Sequence, residues 1–234
     1  MLSDFLYSLK ETEFFFNLFG YISFRSGLSL ITSFFIVLIL MPYWIRFQKS
    51  IFPSGQPIRN DGPDTHYHKK GTPTLGGVLI LFSIILSSIL WTSNFSSFNY
   101  ILILTLVLFG LIGLVDDFQK VKLGKGISSK TKFLSQLLAT LIIYFTIKHN
   151  GFDLNKFSIP FLKDVSIELG YLYFVLILLI VVGSTNATNL TDGLDGLVSM
   201  PLIFVFLTFA IFAYVLGNIN FSDYLLVNYM KGSG

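Results

Sequence analysis

Asp116 and Asp117 stand side by side at the end of residues 101–115, a run without charge, and Lys120 follows three residues on. Two adjacent carboxylates repel each other unless a cation or a proton relieves them. Mg2+ is a hard cation that takes carboxylate and phosphate oxygens together, and lysine offers phosphate a point charge. Lys120, Lys122, Lys125, Lys130 and Lys132 all fall within residues 116–132. Paired carboxylates among lysines suit phosphoryl transfer, in which positioning and electrostatics do most of the catalysis. The same stretch also fits a charged loop that closes one helix while Ser128 caps the next.

Two further segments carry groups of the same kind. In "NATNLTDGLDG", Asn186, Asn189, Asp192 and Asp195 recur every third residue. That spacing drifts around an α-helix but eclipses in a 3₁₀ turn, and Gly193 and Gly196 weigh against a regular helix. A 3₁₀-like turn presenting a nucleoside or metal–phosphate pocket is expected; a plain polar turn between helices is the alternative. In "QPIRNDGPDTHYHKKGTPTLGG", residues 56–77, Gly and Pro break regular structure, while His66, His68, Lys69 and Lys70 supply polar side chains. Gly76 and Gly77 would open the next helix with accessible backbone N–H groups, a ready anion site. A solvated loop is the alternative there.

The elements that must hold these segments are apolar. The chain has 234 residues, 53% hydrophobic and only 12% charged, with 26 Phe and a mean hydropathy of +0.72. A soluble domain carries about 25% charged residues, so the composition predicts an integral membrane protein of the all-α class, a polytopic bundle of transmembrane helices. The absence of cysteine excludes disulfides and thiolate metal sites. The net charge of +3, with no basic stripe, excludes a nucleic-acid partner.

Uncharged runs mark about six spans: 26–45, two within 71–115 divided by the polar patch 92–99, then 133–147, 169–191 and 196–222. Lysines at 130, 132 and 148 can snorkel from the ends of the short fourth span. Residues 1–20 lack the basic start and cleavage site of a signal peptide. They read either as an interfacial segment or as an extension of the first span. The loops 46–72, 116–132 and 184–196 share one side and hold ten of the sixteen basic residues. That side is therefore expected to be cytoplasmic, with the N-terminus outside. Residues 1–234 form a single integral membrane domain on this reading, and the three polar loops meet on one face.

Three stretches, "DGPDTHYHKKGTPTLGG", "GLVDDFQKVKLGKGISSKTKFLSQ" and "NATNLTDGLDGL", together resemble the signatures of the polyprenyl-phosphate N-acetylhexosamine-1-phosphate transferases. This is the glycosyltransferase 4 family, and the resemblance, from about residue 20 to 216, is strongest to its phospho-N-acetylmuramoyl-pentapeptide-transferase branch. It implies an Mg2+-dependent enzyme of the bacterial cell (inner) membrane with its active site facing the cytoplasm. Phospho-MurNAc-pentapeptide would pass from UDP-MurNAc-pentapeptide to undecaprenyl phosphate, giving lipid I and UMP, the first membrane step of peptidoglycan synthesis. Asp116 and Asp117 match the family's catalytic and metal-binding pair, with Asp116 the favoured base. Lys69, Lys120, Lys132, Asn186, Asn189, Asp192 and Asp195 match its phosphate and uridine contacts. A homodimer is also implied.

The family pattern continues past "VNYMKGSG" to a third aspartate and a histidine-rich loop, so the chain reads as about the N-terminal two-thirds of such an enzyme and is expected to be inactive alone. Three other readings stand beside this one. A GlcNAc-1-phosphate transferase would share the chemistry. A transporter would place its charges near the midplane rather than at one face. A non-catalytic scaffold would pair with the full-length enzyme.

Overall fold

The computed structural model describes residues 1–53, 73–158, 166–192 and 196–233. Each uncharged run carries at least one helix among the described residues. Residues 26–45 lie within α2 (Ile22–Ile51), and 71–115 divides at the polar patch into α3 (Gly76–Trp91) and α4 (Ser97–Leu123). The remaining runs form α5 (Ser129–His149), α6 (Leu172–Thr191) and α7 (Ser199–Leu216). A helix satisfies its backbone hydrogen bonds internally, which hydrocarbon requires. Among the described residues α2, α4, α6 and α7 are long and apolar enough to cross a membrane. Helix α3 is a shorter apolar helix of 16 residues, and α5 has 21 residues with lysines near both ends. The protein is thus an all-α polytopic membrane protein.

Two features depart from the expected plan, and one decides between its alternatives. Helix α4 does not stop at Val115; its 27 residues reach Leu123. At 1.5 Å per residue it is about 40 Å long, longer than the roughly 30 Å hydrocarbon core, so its charged end has room to project beyond the apolar region. Residues 1–20 form α1 (Leu2–Ser8) and 3₁₀ turns at Leu9–Glu11 and Phe14–Gly20, and Tyr21 is extended before α2 begins. The N-terminal segment is therefore separate from the first long helix. Finally, β1 (Lys156–Ser158) and β2 (Ser166–Glu168) pair antiparallel, with Lys156 opposite Glu168.

The described residues fall into two units. The first comprises residues 1–95 and 106–132. In it α2 packs on α3 through small hydroxyl side chains: Ser83 and Ser87 are fully buried, and the Ser33 and Ser83 hydroxyls lie 3.1 Å apart. Small residues let helix backbones approach closely, and hydroxyls join helices where no water competes. Trp91 Nε1 donates to Thr32 Oγ1 at 2.9 Å, Trp44 Nε1 donates to the Leu75 carbonyl at 3.2 Å, and Arg25 donates to Ser93. Phe19 stacks on Trp91 and docks the N-terminal segment on the end of α3.

The second unit comprises residues 96–105 and 133–234. Gln136, Ala139, Thr140, Ile143 and Tyr144 are buried along one stripe of α5, spaced as one helix face requires. Tyr144 meets Phe174 of α6 edge-on at 5.3 Å, and Gln136 bonds Asn186 of the same helix. Helix α7 buries none of its side chains. Phe204, Phe206, Phe209 and Phe212 remain on its surface, a composition suited to hydrocarbon rather than water.

Candidate active site

Because α4 stays helical beyond Val115, Asp116 and Asp117 lie four and three residues before Lys120, on a shared face. Lys120 Nζ sits 2.7 Å from Asp116 Oδ2 and donates to Asp117 Oδ1 at 3.0 Å. The helix then ends in a glycine turn. Gly124 takes a φ of +72° and its N–H closes on the Lys120 carbonyl at 3.0 Å, the left-handed stop that glycine allows. The chain folds back over the pair. A Cβ on Gly126 would lie 2.5 Å from Asp116 Oδ1 and 3.2 Å from Lys120 Cε, so this position has no room for a side chain. The Ile127 N–H donates to Asp116 Oδ1 at 3.0 Å. Ser128 Oγ accepts the Thr131 N–H at 3.1 Å, capping α5 as the sequence suggests.

The two carboxylates thus have different surroundings. Asp116 is 7% exposed with both oxygens engaged, whereas the Asp117 side chain is 36% exposed. Asp117 Oδ2 has no hydrogen-bond partner among the described residues. Both aspartates and Lys120 lie beyond the apolar run, in the polar end of α4. Burial pushes the Asp116 carboxyl up, but the Lys120 ammonium, the Ile127 N–H and the nearby Lys132 charge outweigh it and hold it below 3.8. Burial pushes Lys120 down, and the two carboxylates overcome this and hold it above 10.5.

No group of three or more metal-ligating side chains occurs among the described residues. Mg2+ does not need one: it commonly binds one or two carboxylates and completes its shell with water and substrate phosphates. The half-buried Asp117 carboxylate, with one oxygen unengaged among the described residues, fits that demand. Asp116 would have to give up a lysine or backbone partner to join it.

In the second unit the expected 3₁₀ turn is absent before Thr191. Helix α6 remains α-helical to that residue, and the Asp192 N–H closes on the Thr188 carbonyl at 3.1 Å. The polar side chains are satisfied without leaving the helix: Thr185, Asn186 and Thr191 each donate to the carbonyl four residues back. Such side-chain bonds to nearby backbone can compete with a helix, but here they are made within it. Asn186 is partly buried, while Asn189 and Asp192 are exposed. Asp116, Asp117, Lys120 and Lys132 are gathered in the first unit, and Asn186, Asn189 and Asp192 are held along one helix end in the second. Lys69, Asp195, His66 and His68 lie outside the described residues.

Two contributors escape a motif-based reading. Gly126 is legible only through its closeness to Asp116. Gln136 is 1% exposed and bonded to Asn186. It carried a signal in the sequence, because a polar amide inside the apolar stretch 133–147 needs a partner.

A family model described as Glycosyl transferase family 4 matches residues 99–232. The chain is 40% identical over 237 aligned residues to a protein of Desulfotalea psychrophila named phospho-N-acetylmuramoyl-pentapeptide-transferase, covering 100% of this chain and 66% of that protein. Proteins of the same name from Rickettsia prowazekii and Desulforapulum autotrophicum are 39% and 44% identical, over 93% and 100% of this chain and 61% and 66% of their own lengths. The chain therefore spans slightly less than two thirds of the curated relatives it matches.

Proposed function

The chain belongs to glycosyl transferase family 4, and from that membership we propose that its protein transfers phospho-MurNAc-pentapeptide from UDP-MurNAc-pentapeptide to undecaprenyl phosphate. The products are lipid I and UMP, formed at the cytoplasmic face of the bacterial inner membrane. The observation that carries this reading is the 39–44% identity, along nearly all of this chain, to relatives whose shared name is that of a transferase for the phospho-N-acetylmuramoyl-pentapeptide group. The Asp116–Lys120–Asp117 cluster supplies chemistry of the required kind.

In the proposed reaction a lipid-phosphate oxygen forms a bond to the β-phosphorus of the nucleotide sugar. The bond between that phosphorus and the bridging oxygen breaks, and its electron pair leaves on UMP. Asp117 orients the lipid phosphate and takes its proton where that phosphate arrives protonated. We assign this to Asp117 rather than Asp116, because both oxygens of the Asp116 carboxylate are spent on Lys120 and the Ile127 N–H. Asp116 fixes Lys120 beside Asp117, and Lys120 and Lys132 bring positive charge to the phosphates. Mg2+, held by Asp117 and the substrate phosphates, would neutralise charge on the transferring group. Asn186, Asn189 and Asp192 serve the nucleotide end.

The test uses full-length protein, labelled UDP-MurNAc-pentapeptide or UDP-GlcNAc, and undecaprenyl phosphate in detergent. Labelled lipid I with the muramoyl donor alone supports the proposal. Lipid product from UDP-GlcNAc and none from the muramoyl donor would assign the protein to the GlcNAc-1-phosphate branch instead.

A further inference from the structure

Asn186 and Gln136 form a reciprocal amide pair between α6 and α5. Asn186 Nδ2 donates to Gln136 Oε1 at 3.0 Å and to the Val182 carbonyl at 2.9 Å. Gln136 Nε2 faces Asn186 Oδ1 at 3.5 Å. A backbone carbonyl only accepts, so the contact with Val182 fixes which end of the Asn186 amide is nitrogen. That in turn fixes the Gln136 amide. Both Asn186 N–H groups are then spent, and its oxygen keeps a free lone pair beside one long contact. Gln136 and Thr140 are 1% and 0% exposed, whereas Asn186 is only partly buried. Buried polar groups are held to their partners by the cost of leaving one unsatisfied.

We propose that Gln136 is a positioning residue that locks the Asn186 carboxamide as an acceptor, so that the end of α6 reads a hydrogen-bond donor, a hydroxyl or ring N–H, on the nucleotide-sugar substrate. Phosphate oxygens are acceptors, and Asn186 has no free N–H to offer them. The proposal deepens the function above and rests on its placing of Asn186 at the nucleotide. Removing the Gln136 carboxamide frees the Asn186 amide to rotate and present either end.

The experiment compares full-length wild type with Gln136→Leu, Gln136→Glu, Asn186→Ala and the double variant Gln136→Leu/Asn186→Ala. KM is measured for UDP-MurNAc-pentapeptide and for undecaprenyl phosphate, with equilibrium binding of UMP and the thermal midpoint. One hydrogen bond is worth about tenfold in affinity. Gln136→Leu should raise the nucleotide-sugar KM and weaken UMP binding by roughly that factor, leaving the lipid KM in place. Gln136→Glu keeps an acceptor for Asn186 Nδ2 and should restore most of the loss. On the Asn186→Ala background, Gln136→Leu should add nothing. The proposal is overturned if Gln136→Leu leaves nucleotide affinity unchanged, if both KM values rise together with a fallen thermal midpoint in Leu and Glu variants alike, or if the two substitutions add. Wild type that binds UMP without transferring the muramoyl group would refute the proposed reaction alone, since UMP binding still reads the Gln136 variants. Wild type that binds no UMP overturns both.

Discussion

The pair of aspartates that looks symmetrical in the sequence is divided by its neighbours. Asp116 is buried against Lys120 and the Ile127 N–H, and Asp117 keeps one oxygen unengaged among the described residues. Lys120 bridges the two, whereas Lys122 lies over the Phe118 ring at 5.9 Å. Lys120→Ala should therefore lower kcat/KM of the full-length enzyme by about a hundredfold, the cost of losing one aligned electrostatic group. Lys122→Ala should stay within about threefold, as expected of a surface charge; equal effects in steady-state assays would mean that the lysines serve topology alone. The same cluster predicts a pH response. The Asp116 carboxyl binds its proton less readily in the folded chain than at its ordinary 3.8, and Lys120 holds its proton beyond 10.5. The stability contributed by Asp116 is thus present above pH 3.8 and lost as pH falls through its lowered folded value. That of Lys120 is present below pH 10.5 and lost as pH rises through its raised one. Thermal midpoints of the detergent-solubilised protein should fall at the acid end in wild type, and Asp116→Asn should flatten that fall.

At the scale of elements, α4 and the turn after it decide whether the cluster exists. The apolar run 101–115 and the lysines beyond it were legible as a helix and its charged end. The extra helical turns to Leu123 were not, because charge marks where the bilayer ends, and a helix needs no bilayer to continue. The resulting four- and three-residue spacing to Lys120 is what pairs it with both aspartates. Likewise the three-residue recurrence of Asn186, Asn189 and Asp192 was legible while the conformation was not: α6 runs on to Thr191, and its polar side chains bond carbonyls four residues back without breaking it. Gly124 and Gly126 form the other hidden device. Gly126→Ala should push Asp116 and Lys120 apart, cut turnover by at least about tenfold and cost about 1–3 kcal/mol of stability, the usual range for overpacking. Gly113→Ala, which lies within α4 and meets no neighbour within 4 Å, is the control. Similar losses in both would deny Gly126 its special place.

For the whole molecule, composition and the rhythm of uncharged runs were enough to give an all-α membrane protein, with a long helix on each run, though not the break after Leu216 that starts a further helix at Ile219. The β1–β2 pair, three residues a side, is too short to leave a pattern in the sequence. The proposed function depends on one half-buried carboxylate, Asp117 at the polar end of α4, handling phosphate. The direct test is UMP release by full-length protein at saturating UDP-MurNAc-pentapeptide and undecaprenyl phosphate, wild type against Asp117→Asn, which removes the charge and keeps the shape. The account predicts a loss in kcat of about a hundredfold or more, with the thermal midpoint unchanged. Turnover within twofold of wild type would contradict it.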